Sequence, residues 1–287
     1  MRAYADWVKA AQDCGLKIGQ VVIHEQMAEL EQSEDELRLR MRAHLEVMRQ
    51  SVTAGLSGDR LSHTGLSGGD AAKVWARRGQ TLTLTGPVIN GAIARALAVA
   101  EVNAGMGKIV AAPTAGSCGV LPAVLLTVEE QLRIAEEDLV TALFTAAGVG
   151  MIIADRASVS GAEGGCQAEI GSAAAMAAAA AAELGGGSAA QTAAAAAIAL
   201  KSLLGLVCDP VAGLVEVPCI KRNATATTLA LTAAEMALAG IASAIPLDEV
   251  IDVMGEIGHQ MPCALRETAQ GGLAMSPTGQ RIRAKFV

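Results

Sequence analysis

Aromatic side chains are almost missing from this sequence: two Phe, two Trp and one Tyr stand among 287 residues. A core assembled round stacked rings is therefore excluded. Hydrophobic residues still make up 52% of the chain, so the core must be built from Ala, Leu, Val, Ile and Met. Small side chains fill little volume each, and such a core requires close approach of backbones. Basic excess is missing too: the formal net charge is -7, which argues against nucleic acid as a partner, because that needs a clustered basic surface. Long apolar runs are also lacking. The run 139–154 is closed by Asp155 and Arg156, and 172–182 is nearly all Ala and Met and ends at Glu183. Both fall short of the roughly 18 residues that suggest a spanning helix, so both are expected to be buried helices, with no membrane span. Residues 1–16 carry Arg2, Asp6, Lys9 and Asp13 and lack the apolar stretch of a secretory signal; the expected location is cytoplasmic. There the six cysteines are expected to be reduced thiols.

What is present is helical patterning. Residues 18–55 place Ile18, Val21, Val22, Met27, Leu30, Leu37, Leu45 and Met48 at helical intervals among charges. Ser33 followed by Glu36 has capping-box spacing and predicts a helix start there after a short break. The many charges of this region are expected to be a solvated face. Beyond Pro87 the composition shifts to Ala, Gly, Leu and Val, and helices are expected over 88–104, 120–135, 139–154, 166–184, 188–206, 225–239, 247–257 and 264–270. Strand signals are weak, confined to 81–84 and 108–112. The expected fold class is all-α: one Ala/Gly-rich, closely packed helical domain over 1–287, with exposed, charged N-terminal helices over 1–60 and a helical core over 61–287.

The breaks between the helices are rich in glycine and hydroxyl residues. Thr64, Gly65, Ser67, Gly68 and Gly69 form one such loop, and Thr114, Ala115, Gly116 and Ser117 another. Glycines ahead of a helix let backbone N–H groups approach an anion, and the helix N-terminus favours negative charge. Neither loop matches a Walker A or dinucleotide fingerprint, so a small carboxylate suits them better than a nucleotide phosphate; a tight helix–helix turn is the competing reading. Cys166, Cys208 and Cys219 each stand at a loop–helix junction, separated by 42 and 11 residues. No Cys-x-x-Cys pattern is present, which disfavours structural zinc. Spacing leaves open whether these thiols are ligands or small core residues. Cys14 and Cys263 read as ordinary thiols, and Cys118 as loop packing or, less readily, a ligand.

The segments Gly-Leu-Ser-Gly-Gly-Asp-Ala (65–71), Asn-Ala-Gly-Met-Gly-Lys-Ile-Val-Ala-Ala-Pro-Thr-Ala-Gly-Ser-Cys-Gly-Val-Leu-Pro-Ala (103–123) and Ser-Gly-Ala-Glu-Gly-Gly-Cys-Gln-Ala-Glu-Ile-Gly (160–171) are distinctive. So are Cys-Asp-Pro-Val-Ala-Gly-Leu-Val-Glu-Val-Pro-Cys (208–219) and Leu-Arg-Glu-Thr-Ala-Gln-Gly-Gly-Leu-Ala (265–274). Over about residues 15–280 the sequence resembles the alpha chain of the iron-sulfur L-serine dehydratases. The resemblance implies a 4Fe-4S cluster on Cys166, Cys208 and Cys219, with the fourth iron left for substrate. It implies conversion of L-serine to pyruvate and ammonia. It also implies a partner, a separate serine dehydratase beta chain, and hence a hetero-oligomer. Some single-chain relatives close the open iron with a C-terminal cysteine; the tail 281–287 here has none.

A base is harder to find. His24 and His44 fall on the charged N-terminal helices, while His63 and His259 border loops; His63 is the weak candidate, against an ordinary hydrogen-bonding role. The base is therefore expected to come from the beta chain. Arg266 is a candidate carboxylate partner, with Lys73, Lys108 and Asn223 weaker ones. Glu163, Glu169 and Glu216 stand near the three cysteines, where they would orient the site, move protons or simply cap helices. Competing functions are a related cluster enzyme acting on L-cysteine or L-threonine, and a noncatalytic helical scaffold with structural thiols.

Overall fold

The structure, a computed structural model, describes residues 2–59, 61–80 and 83–286. Thirteen α-helices occur among them and no strand: α1 (Tyr4–Cys14), α2 (Ile18–Leu30), α3 (Glu34–Leu56), α4 (Asp70–Arg77), α5 (Gly86–Ala104), α6 (Val120–Leu132), α7 (Glu136–Arg156), α8 (Gly161–Gly164), α9 (Ser172–Leu184), α10 (Ala189–Lys201), α11 (Cys219–Leu238), α12 (Leu247–Gln260) and α13 (Pro277–Phe286). The all-α expectation holds. Residues 108–112 form no strand, and of the 81–84 segment Thr81 and Leu82 lie outside the described residues. A single parallel bridge joins Cys208 and Arg266.

Helix α9 is the axis. Its sequence is SAAAMAAAAAAEL and every residue in it is buried, as a helix apolar all round must be. Helices α6, α7, α10 and α11 pack against it. With methyl groups on most sides, the neighbours come close, and glycines finish the fit. A Cβ on Gly55 of α3 would sit 2.2 Å from the Ala98 carbonyl oxygen of α5, and one on Gly19 of α2 would sit 2.2 Å from the Thr141 carbonyl oxygen of α7. Helix α7 is the one described helix long and apolar enough to cross a membrane. Its residues from Leu139 to Ile153 are nearly all buried among the other helices, with Glu136, Glu137 and Asp138 at one end and Arg156 at the other, so here it is a core helix.

The N-terminal helices carry the charges and also feed the core: Tyr4, Trp7, Ile18, Val22, Ile23, Leu45 and Met48 are buried in the main apolar cluster. Ser33 caps α3 in a capping box with Glu36. Part of the charged face is not merely solvated. Arg49 reaches Glu129 at 2.5 Å and Glu136 at 2.6 Å, and Arg42 pairs with Glu137, so basic α3 lies along the acidic start of α7. Each half-exposed pair contributes at most about 1 kcal/mol.

Four helices were not anticipated by the periodicity: α1, the short α4 and α8, and the polar α13. One expected helix, 264–270, is a three-residue turn, Cys263–Leu265, followed by irregular chain. The reason is local: the Cys208 N–H donates to the Leu265 carbonyl and the Glu267 N–H to the Cys208 carbonyl, both at 2.8 Å. Backbone groups that a helix would have paired internally are taken by another segment. The expected 166–184 helix begins with a π-turn, Gln167–Gly171, before α9, an insertion that often marks functional sites.

One buried carboxyl stands in this core. Glu183 of α9 accepts from Thr145 Oγ1 at 2.7 Å and from the Gly19 N–H at 3.2 Å, and burial holds its pKa above the usual carboxylate range despite those bonds. A raised folded pKa means that the native state binds more protons than the unfolded state between the ordinary value, near 4.5, and the raised one, so this group's contribution falls as pH climbs through that window. Urea unfolding against pH should therefore show a shallower decline in Glu183→Gln than in the parent across that window. Gly55→Ala should cost about 1–3 kcal/mol by overpacking, whereas Gly79→Ala, whose new methyl meets nothing within 4 Å, should stay within about 0.5 kcal/mol.

Candidate metal centre

Three chain segments meet beside the start of α9. The first is the turn from α8 through Cys166 into the π-turn, which carries Glu169. Segment 207–219 brings Cys208, Asp209, Glu216 and Cys219, and the loop 114–119 leads into α6. Cys166, Cys208 and Cys219 are all buried, at 2%, 3% and 8% exposure. All are free thiols. One ligand atom each from Cys166, Glu169 and Cys208 lies within 4.8 Å of the others, a group that could hold a metal ion. Cys208 Sγ is 3.9 Å from Glu169 Oε2. Cys219 stands outside that close group, on the first turn of α11, but near enough for its ionisation to respond to Cys166 and Glu169.

Electrostatics divide the thiols. The neighbouring Cys208 thiol holds the Cys166 pKa below its ordinary value against the opposing effect of burial, and the Arg222 guanidinium adds to the lowering. The same pairing pushes Cys208 up, as does its burial. Burial takes Cys219 up to about 12, with the nearby Cys166 and Glu169 charges acting in the same direction. Ionisation is thus favoured at Cys166 and opposed at Cys208 and Cys219, where a cation added to the site would assist it. Arg222 is the resident counter-charge: burial opposes its protonation, but Cys166 and Asp209 raise its pKa overall. It sits one helical turn from Cys219, donates to the Val207 carbonyl at 2.9 Å and pairs with buried Asp209 at 2.9 Å. Asp209 in turn accepts from the Leu273 N–H at 2.8 Å. A buried donor set of thiols with one guanidinium offsetting its charge fits a thiolate-ligated iron centre, since cluster ligands are deprotonated cysteines.

The glycine loops find anions inside the chain. Thr114 Oγ1 donates to Glu169 Oε1 at 2.6 Å, and Ser117 Oγ lies 3.2 Å from Thr114 Oγ1. Gly116 has no side chain where Glu169 lies: a Cβ there would be 3.2 Å from Oε1. Thr64 Oγ1 and Ser67 Oγ donate to the buried Glu216 carboxylate at 3.0 and 2.9 Å. Gly65, Gly68 and Gly69 have φ of 71°, 133° and 75°, conformations open to glycine. The N-terminus of α4, which this loop leads into, is already engaged, because the Asp70 and Ala71 N–H groups donate to Glu101 at 2.9 and 3.3 Å. The free anion sites expected of these loops are thus occupied by Glu169, Glu216 and Glu101.

Other expected residues scatter. His63 is exposed beside Thr64 and has no hydrogen bond among the described residues. Cys118 is fully buried, points to the Val99 carbonyl, and burial lifts it to about 12, so it packs the core. Asn223, weighted lightly from sequence, is central: Nδ2 donates to the Gly116 and Cys219 carbonyls at 2.8 and 2.9 Å, and Oδ1 accepts from Gly119 N at 2.8 Å. It ties the 114–119 loop to the Cys219 helix. Arg222, Asp209 and Glu101 escaped the sequence reading. Arg222 had one available signal, its i+3 position after Cys219 on a helix, which puts both on one face.

An all-α protein whose loops gather buried thiols, a carboxylate and a buried arginine belongs to the class of helical proteins equipped to hold a metal through cysteine. The model of the serine dehydratase alpha chain family matches residues 13–274, and the chain belongs to that family. It is 50% identical over 285 residues to a probable L-serine dehydratase alpha chain of Bacillus subtilis, covering 99% of this chain and 95% of that one. It is 42% identical to the L-serine dehydratase alpha chain of Peptoniphilus asaccharolyticus, over 95% and 94% of the two. L-serine dehydratase 2 of Escherichia coli is 42% identical over 94% of this chain, but only 60% of that protein is covered.

Asn223→Ala removes three hydrogen bonds, two joining the 114–119 loop to α11 and one within α11. It should destabilise the chain by about 2–4 kcal/mol in urea unfolding, while Asn103→Ala, which loses one exposed bond to the Ala115 carbonyl, should cost under about 1 kcal/mol.

Proposed function

We propose that this chain is the alpha subunit of an L-serine ammonia-lyase, forming pyruvate and ammonia, and that Cys166, Cys208 and Cys219 hold a 4Fe-4S cluster. The observation that carries this reading is the convergence of Cys166 and Cys208 with Glu169 in a buried pocket balanced by Arg222, in a chain of the serine dehydratase alpha chain family. With three protein thiolates, such a cluster supplies a Lewis-acidic iron with an open position, which eases departure of hydroxide, a poor leaving group.

The chain's own groups prepare that chemistry. Arg222 offsets the negative charge of the ligand set, and Asp209, anchored by Leu273 N–H and Arg222, keeps the guanidinium aimed. Glu169, half-buried and fixed by Thr114, is the carboxylate beside the thiols and is suited to hold or pass a proton at Oε2, 3.9 Å from Cys208. Thr64, Gly65, Ser67, Gly68 and Gly69, with Thr114, Ala115, Gly116 and Ser117, would meet the substrate by exchanging their present carboxylate partners for its carboxylate and hydroxyl. Hydroxyls already pointed at an anion need little reorganisation to accept another.

A proton must still be taken from Cα, and no histidine lies in this group of residues. A second chain, the beta chain, is proposed to bring that base in a hetero-oligomer located in the cytoplasm. Support comes from the relatives named as alpha chains, a name that implies another chain, and from the Escherichia coli relative, 60% of which this chain covers.

Anaerobic reconstitution with iron and sulfide should give broad absorbance near ~400 nm with acid-labile sulfide, lost in Cys166→Ser and Cys208→Ser. Pyruvate from L-serine should appear when the reconstituted chain is mixed with the beta chain and be nearly absent without it. A colourless product would sink the cluster, full activity of the chain alone would remove the beta chain from the mechanism, and sulfide release from L-cysteine outpacing pyruvate from L-serine would reassign the substrate.

A further inference from the structure

Beside the turn that carries Cys166 lies a cavity of about 460 Å³ whose lining includes Ser158, Glu163, Gly164, Ala168, His259 and Arg266. Gly164 and Ala168 flank Cys166 in sequence. The opposite wall is α12, through Met254, Gly255 and Gly258, and it packs so tightly that a Cβ on Gly258 would come 2.9 Å from the Gly164 Cα.

Two opposite charges line this cavity without pairing. Arg266 Nε is buried and has no hydrogen-bond partner among the described residues. The guanidinium's one bond there is a long one, 3.4 Å from NH1 to the Glu163 main-chain carbonyl rather than to its carboxylate. Glu163 accepts from Ser158 Oγ at 2.5 Å and forms no ion pair among the described residues. A guanidinium carries five N–H donors, and leaving a buried one unmet costs about 1–3 kcal/mol. The Arg266 backbone is fixed in place: Cys208 bridges to Leu265 and Glu267 on either side, and Glu267 and Ala269 are held at φ of 62° and 55°. Backbone strain of this kind persists where the surroundings over-determine it.

We propose that this cavity binds a free α-amino acid as its zwitterion, carboxylate on the Arg266 guanidinium and ammonium on the Glu163 carboxylate, with Met254 and the alanine methyls receiving the side chain. A ligand bearing both charges satisfies both walls at once, which a simple anion or amine does not. Occupancy joins α12 to the segment carrying Cys166 and Glu169, so it acts on the metal centre through that segment. The lining holds the exposed Cys263 but none of Cys166, Cys208 and Cys219, so the site stands apart from the cluster reading.

The test is titration calorimetry on the full chain without added metal, using L-alanine, L-serine, L-leucine, N-acetyl-L-alanine and ethylamine. L-Alanine is expected to bind, with the two single-charge analogues at least about tenfold weaker. Arg266→Gln and exposed Glu163→Gln should each weaken L-alanine by about tenfold or more, while Gly79→Ala, which lies in neither site, leaves it unchanged; if the arginine variant does not fold, the glutamate variant carries the test. Binding confined to L-serine assigns the cavity to the substrate, and binding shared with L-leucine assigns it to a regulatory amino acid. N-acetyl-L-alanine binding as tightly as L-alanine overturns the proposal, as does silence of every amino acid up to about 10 mM. So does loss in Thr114→Ala with retention in Arg266→Gln and Glu163→Gln, since the ligand would then sit at the thiols. A chain that binds L-alanine but stays colourless on reconstitution separates this inference from the cluster.

Discussion

Close approach of helix backbones across the alanine surface of α9 is the constraint on which the rest of the molecule depends. Large side chains would hold α6, α7, α10 and α11 apart; methyl groups let them crowd one axis. Contacts of this kind tolerate no added volume, which explains why glycines such as Gly19 and Gly55 face carbonyl oxygens of neighbouring helices. The same crowding brings the loop that opens α6, the turn that opens α9 and the start of α11 to one place, and these are the segments that carry Thr114, Cys166 and Cys219.

Charge compensation organises that place. Buried acidic groups exceed what burial permits unless each has a donor, and the chain supplies them in pairs: Arg222 with Asp209, Thr114 with Glu169, Thr64 and Ser67 with Glu216, and the α4 amides with Glu101. The glycine-rich loops, for which a tight turn competed with an anion site, do hold anions, and those anions are side chains of the same molecule. Beside the cysteine turn the pattern breaks, and Arg266 and Glu163 share a cavity without meeting.

The reading of local pattern succeeded where the determinants are local. The capping box at Ser33 and the helical core stretches from 88 to 257 follow from side-chain periodicity and alanine propensity. It failed at 264–270, where Cys208 takes the backbone groups, and at α4 and α13, which at eight and ten residues are too short to show a sustained period. Arg222 carried only the signal of its position three residues after Cys219, because nothing else in a sequence says which of 22 basic residues is turned inward, and Asp209 carried none.

By itself the sequence determined that this is an all-helical protein with an alanine core, and its motifs carried the resemblance to the serine dehydratase alpha chains; these depend on composition, propensity and motif, which are properties of neighbouring residues. Only the tertiary structure decided which thiols approach one another, that Cys118 is core and Cys219 stands slightly apart, and that the expected anion loops are filled by Glu101, Glu169 and Glu216. Those facts depend on distances between residues as much as 152 positions apart, and such distances are set by how the helices pack.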